Sequence, residues 1–249
     1  MSSSPLKQPT LSISCFFPCY NDAPTIKAMV VLAMDVCKEY TQAYEVLVID
    51  DGSKDESREI LRKMEQEFPQ HFRAIYHAHN RGYGGALKSG FEHAQNDWIF
   101  YTDGDMQYDV AELRLLIDRL SDKVDYVQGF KIKRQDPLIR IILGQIYQRL
   151  MKFMFRLKIK DVDCDFRILR RSVIQNLILK HNSGVICVEM MAKLNLTRAR
   201  FAEVGVTHRF RMYGQSQFFN FSRVGRTAYH AFKLWVKLMV LKQRKFLKS

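Results

Sequence analysis

The chain has 249 residues, of which 47% are hydrophobic and 26% charged, so it can bury one core and is unlike a disordered chain. Its formal net charge is +13, and no acidic residue follows Glu203. This imbalance indicates an anionic partner. Charge alone leaves a phosphorylated substrate, an anionic membrane surface and nucleic acid open as that partner.

The first ten residues are predicted to form a flexible tail, because they are polar and lack the apolar run of a signal peptide. Lys or Arg interrupts every long apolar segment, so no transmembrane span is predicted. The five cysteines form neither a CxxC pair nor a zinc-finger spacing, which favours a reducing, cytoplasmic setting.

From residue 11 to residue 120, short runs rich in Val, Ile, Phe and Tyr alternate with longer amphipathic stretches. Four βα units are predicted, with strands at LSISCFF, YEVLVID, FRAIYHA and DWIFYTD and helices at 24–40, 55–68, 84–95 and 109–120. This alternation is typical of an α/β fold with a mostly parallel sheet flanked by helices. Ligands of such sheets bind outside the carboxyl ends of the strands. Polar residues at those strand ends should therefore converge on one crevice.

The second half of the chain is less regular. A helix at about 138–157 has one polar side and is otherwise apolar, which predicts a helix docked on the core; the polar side carries Gln145, Gln148, Arg149, Lys152 and Arg156. DCDFRILRR and FAEVGVTHRF are predicted strands, with a helix at about 185–195 between them. The segment 223–245 is basic and amphipathic. The predicted organisation is a catalytic domain over 11–222 and a basic C-terminal extension over 223–249.

The most informative cluster is the pentapeptide that follows the apolar strand WIFYT, Asp103-Gly104-Asp105-Met106-Gln107. Two carboxylates one residue apart can hold a hard divalent cation from one side and leave the other side to phosphate oxygens. Taken alone, the pattern also fits an ordinary acidic turn. Acidic strand ends also occur at Asp50-Asp51-Gly52-Ser53 and at Phe17 to Asp22, and they should lie in the same crevice.

Six motifs follow one another along the chain: FFPCYND, VIDDGSKD, HNRGYGGALKSGFEHA, YTDGDMQYD, DCDFRILRR and HRFRMYGQS. Their order resembles glycosyltransferase family 2, and within it the polyprenyl-phosphate (dolichyl-phosphate mannose synthase-like) glycosyltransferases, over about residues 12 to 217. The resemblance implies a GT-A fold, a Rossmann-like, mostly parallel mixed sheet flanked by helices, with C-terminal amphipathic helices. It also implies a nucleotide diphosphate-sugar donor and a divalent cofactor, Mg²⁺ or Mn²⁺.

The resemblance also implies roles for individual residues. It assigns the metal to Asp103, Asp105 and Gln107. It assigns the donor to Pro18, Tyr20, Asn21, Asp22, Asp50, Asp51, Arg81, Lys88, Asp103, Gly104 and Asp105. It assigns catalysis to Asp163 and Arg211, and the acceptor and its phosphate to Lys131, Arg134, Arg211 and Ser216. Two positions depart from the family pattern, since Asp22 stands where Glu is usual and Lys131 where Arg is frequent.

The resemblance implies inverting transfer from a UDP- or GDP-sugar to a polyprenyl phosphate. A phosphate monoester is largely ionised at neutral pH, so it can attack without a general base. The alternative is a glycan or other hydroxyl acceptor, for which Asp163 or Asp165 would be the required base. Nucleic acid is not an expected partner, because acidic strand ends would repel it.

A lipid acceptor predicts a peripheral protein on the cytosolic face of a membrane. The basic 223–245 segment could meet the lipid headgroups, or it could be a terminal helix packed on the core. The sequence leaves both roles of this segment open.

Overall fold

The computed structural model describes residues 11–134, 138–210, 221–243 and 245–248. Seven strands form one sheet in the order β3-β2-β1-β4-β6-β5-β7. The strands are β1 (Ser12–Cys19), β2 (Ala43–Asp50), β3 (Phe72–Tyr76), β4 (Trp98–Thr102), β5 (Tyr126–Arg134), β6 (Phe166–Arg170) and β7 (Phe201–His208). All neighbouring pairs are parallel except those of β6, which runs antiparallel to both β4 and β5.

The helices lie between the strands and after the last one. They are α1 (Ile26–Tyr40), α2 (Ser57–Glu67), α3 (Tyr83–His93), α4 (Leu113–Ile117), α5 (Leu138–Phe155), α6 (Arg171–Ile174), α7 (Val185–Leu196) and α8 (Phe221–Trp235), with a π-helical segment at Val236–Val240. Within the described ranges, no helix is both long enough and apolar enough to cross a membrane.

The sheet is buried on both faces, and adjacent residues of one strand supply opposite faces. Phe17 and Phe100 belong to a buried cluster with residues of α1. Phe16 and Tyr101 point to the other face, where they stack with ring centroids 5.5 Å apart and join residues of α3 and α7. This two-sided core explains why the central strands are nearly continuous apolar runs.

The position of β1 in the sheet determines where a ligand can bind. β2 and β3 lie on one side of β1, whereas β4 lies on its other side and also pairs with it in parallel. In open α/β sheets the crevice lies at such a reversal of strand order, outside the carboxyl ends of the strands. The loops after β1 and β4 therefore border the expected crevice.

The structure confirms the predicted α/β architecture with a mostly parallel mixed sheet, and it confirms the first four strands and first three helices to within a few residues. It differs at 109–120, where a 3₁₀ turn at Val110–Glu112 precedes the short α4. It also adds β5, to which the sequence pattern assigned no strand. The predicted strand DCDFRILRR is confirmed only for its second half, as β6.

The end of the chain packs on the same core as α7. Ala231 and Leu234 of α8 are buried in that core, and so is Phe246, whose carbonyl accepts a hydrogen bond from Ile178 N at 2.8 Å. Packing on the core, one of the two roles left open for this segment, is thus observed for one face of α8. The predicted domain boundary at residue 222 stays a prediction, and the predicted tail at 1–10 lies outside the described residues.

Candidate active site

The turn after β4 and the loop after β1 are in direct contact. Thr25 Oγ1 donates a hydrogen bond to Gly104 O at 2.7 Å. A Cβ atom added at Gly104 would lie 2.6 Å from Pro18 O, which is too close for any side chain. Glycine is therefore required at residue 104 because the β1 loop approaches the Asp-Gly-Asp turn so closely. The structure thus brings two of the three predicted strand-end clusters together at the sheet reversal.

The carboxylates of the Asp-Gly-Asp turn are held by hydrogen bonds within the chain. Asp103 Oδ1 accepts a hydrogen bond from Tyr83 Oη at 2.7 Å. Asp105 is 7% exposed, and its Oδ1 accepts from Gln107 N at 3.1 Å. Met106 between them has a φ of 61°, in the left-handed region, so the chain turns sharply there. The side chain of Gln107 is also buried and donates to Arg209 O at 3.2 Å.

The Asp-Gly-Asp turn and Gln107 can supply some of the ligands of a divalent metal ion, but not all of them. Among the described residues, no group of three or more His, Cys, Asp or Glu side chains is arranged to hold a metal ion. Asp103 and Asp105 supply two hard carboxylates from one turn, and Gln107 offers an amide oxygen. Mg²⁺ and ions of similar chemistry are commonly held by one or two carboxylates together with substrate phosphates. The residues present therefore fit a divalent ion whose remaining ligands come from a diphosphate.

The loop after β1 is tied to the loop after β2 through Asn21. Asn21 N donates to Ser53 Oγ at 3.0 Å, and Asn21 Oδ1 accepts from Lys54 N at 2.8 Å. Asp22 Oδ2 accepts from Tyr20 N at 3.0 Å, which closes the tip of the loop. The Tyr20 side chain is 36% exposed, so its ring can be reached from solvent. A nucleobase could stack on such a ring.

The two carboxylates that end β2 are buried and already accept hydrogen bonds. Asp50 is fully buried and accepts from Arg58 Nε at 2.6 Å and from Ser53 N at 3.1 Å. Asp51 accepts from His77 Nδ1 at 2.6 Å and from the backbone N of Arg81 and of Gly82 at 2.8 and 2.9 Å. Asp51 thus fixes the loop that leads into α3.

The glycines at the start of α3 serve a close backbone contact. Gly84 N donates to Asn182 O at 2.8 Å, and a Cβ added at Gly84 would lie 2.4 Å from His181 O. Lys88 donates to the side chain of Asn182. Asp51 and Asn182 thus already accept hydrogen bonds from the backbone N–H groups of Arg81, Gly82 and Gly84. Arg81 remains exposed.

Asp163 lies in the loop before β6, close to the buried ammonium of Lys131. Lys131 Nζ donates to Asp163 O at 2.8 Å and lies 3.8 Å from Asp161 Oδ2. Burial raises the pKa of Asp163 to about 6; the charge of Lys131 opposes this rise, and the nearby carboxylates of Asp161 and Asp165 add to it. The ammonium of Lys131 therefore binds this loop in the structure.

A fully buried arginine anchors the same loop from beneath. Arg167 Nη1 donates to Asp165 Oδ1 at 2.6 Å, and its Nη2 donates to Val162 O at 2.6 Å. Its Nε donates to Gln128 Oε1 at 2.5 Å, and the Gln128 amide in turn donates to Cys164 O at 3.0 Å. A buried guanidinium with this many acceptors is satisfied and holds its neighbours in one geometry.

Residues 14–178 match the sequence profile of the family described as Glycosyl transferase family 2. The chain belongs to glycosyltransferase family 2. The match spans β1 to β6 and so includes the loop after β1, the Asp-Gly-Asp turn and the loop that carries Asp163.

Two relatives come from Salmonella choleraesuis and Salmonella typhimurium, and each is named undecaprenyl-phosphate 4-deoxy-4-formamido-L-arabinose transferase. Each is 29% identical over 210 residues, which is 84% of this chain and 63% of the relative. The chain therefore spans less than two thirds of these relatives' length.

Solved structures with the same fold include glucosyl-3-phosphoglycerate synthase from Mycobacterium tuberculosis in two complexes. The complex with phosphoglyceric acid has a TM-score of 0.69 at 12% identity. The complex with Mn²⁺, UDP-glucose and phosphoglyceric acid has a TM-score of 0.68 at 14% identity. Each comparison covers 94% of this chain and 81% of the other. At this identity the likeness shows the fold, which is GT-A.

Three predicted residues of the family 2 site cannot be placed as side chains. Arg211 and Ser216 lie outside the described residues. Arg134 ends β5, where its backbone pairs with His208, and its side chain is not among those described. The assignments of these residues stay predictions.

The sequence patterns do not indicate the roles of two residues around the family 2 site. Tyr83 binds Asp103 from 20 residues away, and no local pattern indicates this contact. The second is Arg167, which the sequence pattern shows only as part of a motif but which is among the largest fully buried side chains of the described residues. Its place inside the apolar strand FRILR was the available signal, because a buried charge must be paired.

Proposed function

We propose that the chain transfers a sugar from a UDP- or GDP-sugar to a polyprenyl phosphate, with inversion at the anomeric carbon. The observation that carries the proposal is the contact of the Asp-Gly-Asp turn with the loop after β1 at the sheet reversal. The acceptor class is supported by the names of the Salmonella relatives. The neighbours' complexes with Mn²⁺ and UDP-glucose support a nucleotide donor and a divalent ion.

The donor would lie across the loops after β1, β2 and β4. Tyr20 would stack on the base, and Asp50 would accept from the base or the ribose. Contacts with the donor are further proposed for Pro18, Asn21, Asp22, Asp51, Arg81, Lys88, Asp103, Gly104 and Asp105. Asp103, Asp105 and Gln107 would hold Mg²⁺ or Mn²⁺, which when bound offsets the negative charge of the departing diphosphate.

In the chemical step, a phosphate oxygen of the acceptor forms a bond to the anomeric carbon while the bond from that carbon to the diphosphate oxygen breaks. The acceptor oxygen is largely ionised at neutral pH and needs no proton removed. The chain's task is then to position and to neutralise charge. Lys131, Arg134, Arg211 and Ser216 are the residues proposed to meet the acceptor, with Asp163 and Arg211 at the reacting atoms.

The second candidate is transfer to a glycan or another hydroxyl acceptor. One observation favours it, namely that the pKa of Asp163 is raised to about 6. A carboxylate of that pKa is ionised at neutral pH and is a better general base than an ordinary aspartate. A hydroxyl acceptor would require such a base, whereas a phosphate acceptor would not.

A lipid acceptor requires the protein to work at a membrane surface. We propose a peripheral protein on the cytosolic face of a membrane, with the basic C-terminal helix α8 facing the lipid. The exposed faces of Tyr229 and Phe232 and the exposed charges of Arg226 and Lys233 support this orientation. Nucleic acid is not a proposed partner.

The test is release of nucleoside diphosphate by the purified chain with UDP- and GDP-sugars and Mn²⁺. A short prenyl phosphate should support release. The matched prenyl alcohol, which lacks only the phosphate, should not, and neither should an oligosaccharide. Release with the alcohol or the oligosaccharide but not with the prenyl phosphate would contradict the proposal and favour the second candidate.

A further inference from the structure

Helix α5 carries a continuous row of exposed apolar side chains. Leu143, Ile146, Leu150 and Phe153 are 51%, 57%, 50% and 81% exposed. They are spaced by three, four and three residues, which places them along one face of a helix. We call this row the α5 stripe. It corrects the expectation that the apolar side of this helix is docked on the core, since only part of that side is buried.

The inward side of α5 faces the core and the candidate active site. Met151 and Phe155 are buried in the core. The pKa of Tyr147 is raised, first by burial and then by the negative charge of Asp163, so Tyr147 lies near that carboxylate. Helix α5 therefore carries both the α5 stripe and Tyr147, which lies beside the proposed acceptor site.

Cations border the α5 stripe, and acids are missing from its sequence. No Asp or Glu occurs between Asp136 and Asp161, whereas this segment contains Arg140, Arg149, Lys152, Arg156, Lys158 and Lys160. Arg149 is exposed on the helix beside the stripe, and Arg156 is exposed directly after the helix ends. An apolar row edged by cations is complementary to a partner that has an apolar interior and anionic groups at its surface.

The stripe continues into a groove between α5 and the π-helical segment. The groove is lined by the apolar side chains Phe153, Met154, Trp235, Met239 and Val240 and by the cations Lys152, Arg156 and Lys242. The outward part of the C-terminal segment and the α5 stripe thus form one surface with the same composition.

We propose that the α5 stripe and this groove lie in the interface of an anionic lipid bilayer, with α5 as the inserted element. The charge of this surface favours lipid over a second copy of the chain. A second copy would place cations next to cations, which repel each other, whereas anionic headgroups would neutralise them. The inference rests on the proposed function, because it lets a membrane-embedded acceptor present its phosphate beside Tyr147 and Asp163.

The test is co-sedimentation of the full chain with vesicles of phosphatidylcholine, with and without phosphatidylglycerol. Replacing two stripe residues, Leu150→Ser with Phe153→Ser, should weaken binding by about tenfold for each residue, because each loses most of its apolar transfer energy. The matched control is Leu115→Ser on α4, which is 43% exposed and lies off the stripe; it should bind as the parent chain does. Arg149→Gln should weaken binding only to vesicles that contain phosphatidylglycerol.

Two further readouts separate this inference from the proposed function. Nucleoside diphosphate release with a short, water-soluble prenyl phosphate should be the same in the double variant and in the parent chain. If the parent binds vesicles through the stripe but releases no nucleotide, the proposed function fails and the surface stands. Equal vesicle binding by the parent and the double variant would refute the proposed membrane-binding surface. The proposal would also be refuted if the parent self-associates in analytical ultracentrifugation and the double variant abolishes this self-association without changing vesicle binding.

Discussion

Replacing Asp163 with Asn should make the protein more stable at neutral pH. Burial raises the pKa of this carboxyl from the ordinary value of 3.8 to about 6. The folded state thus binds the proton more tightly than the unfolded state does. The stabilisation by protonation is fully present below the ordinary pKa and is lost as the pH rises through about 6. Above that pH the wild type carries a partly buried charge that the variant lacks.

The magnitude follows from the two pKa values. At about 1.36 kcal/mol for each pH unit between them, the charge costs at most about 3 kcal/mol, because Asp163 is only partly shielded from water, which screens the charge. In urea unfolding at pH 8, Asp163→Asn should raise the free energy of unfolding by about 2 to 3 kcal/mol. The gain should shrink steadily as the pH is lowered toward 4.5. Equal stability at pH 8, or a less stable variant, would refute the burial argument.

Two matched variants control this experiment. Asp122→Asn removes a fully exposed carboxylate and should change stability by less than about 0.5 kcal/mol at either pH. Asp165→Asn instead removes the partner of the buried Arg167 and should cost about 3 kcal/mol or more. With a prenyl phosphate acceptor, Asp163→Asn should keep measurable turnover. Complete loss of turnover with donor binding and fold intact would contradict transfer without a general base.

Two other substitutions test contacts found only in the structure. Tyr83→Phe removes the hydrogen bond to Asp103 and should weaken metal-dependent nucleotide binding by about fivefold in calorimetry. Tyr40→Phe is the control. An equal loss of binding in Tyr40→Phe would contradict a specific role of Tyr83 in holding Asp103. Glu189→Gln leaves the buried Lys193 without its charge partner and should cost about 3 kcal/mol in urea unfolding at pH 7, whereas an unchanged midpoint would show that the pair is dispensable.

The first half of the fold could be predicted because each strand and helix there carries its own period. A buried parallel strand is an apolar run, and an amphipathic helix has a repeat near 3.6 residues. The pairing of β6 could not be predicted, because its direction depends on β4 and β5 and leaves no trace in the local pattern. The exposed stripe of α5 was missed for a related reason: a helix that is apolar over most of its circumference does not reveal which part meets the core.

The strand-end clusters were predictable because topology alone brings the carboxyl ends of parallel strands together. The partners of those clusters were not. Tyr83 reaches Asp103 only because α3 lies against the sheet at one particular height, and the start of α3 is fixed by Asp51 and Asn182. Such contacts depend on packing between distant segments, which a motif does not encode.

Calorimetric titration of nucleoside diphosphates tests the central claim, a divalent ion held at the Asp-Gly-Asp turn together with a diphosphate. With Mn²⁺ present, UDP or GDP should bind. Chelation with EDTA or the Asp105→Asn variant should weaken that binding by at least about tenfold, while Asp122→Asn should leave it unchanged. Binding of equal affinity with and without metal, and in the Asp105→Asn variant, would contradict the proposed site.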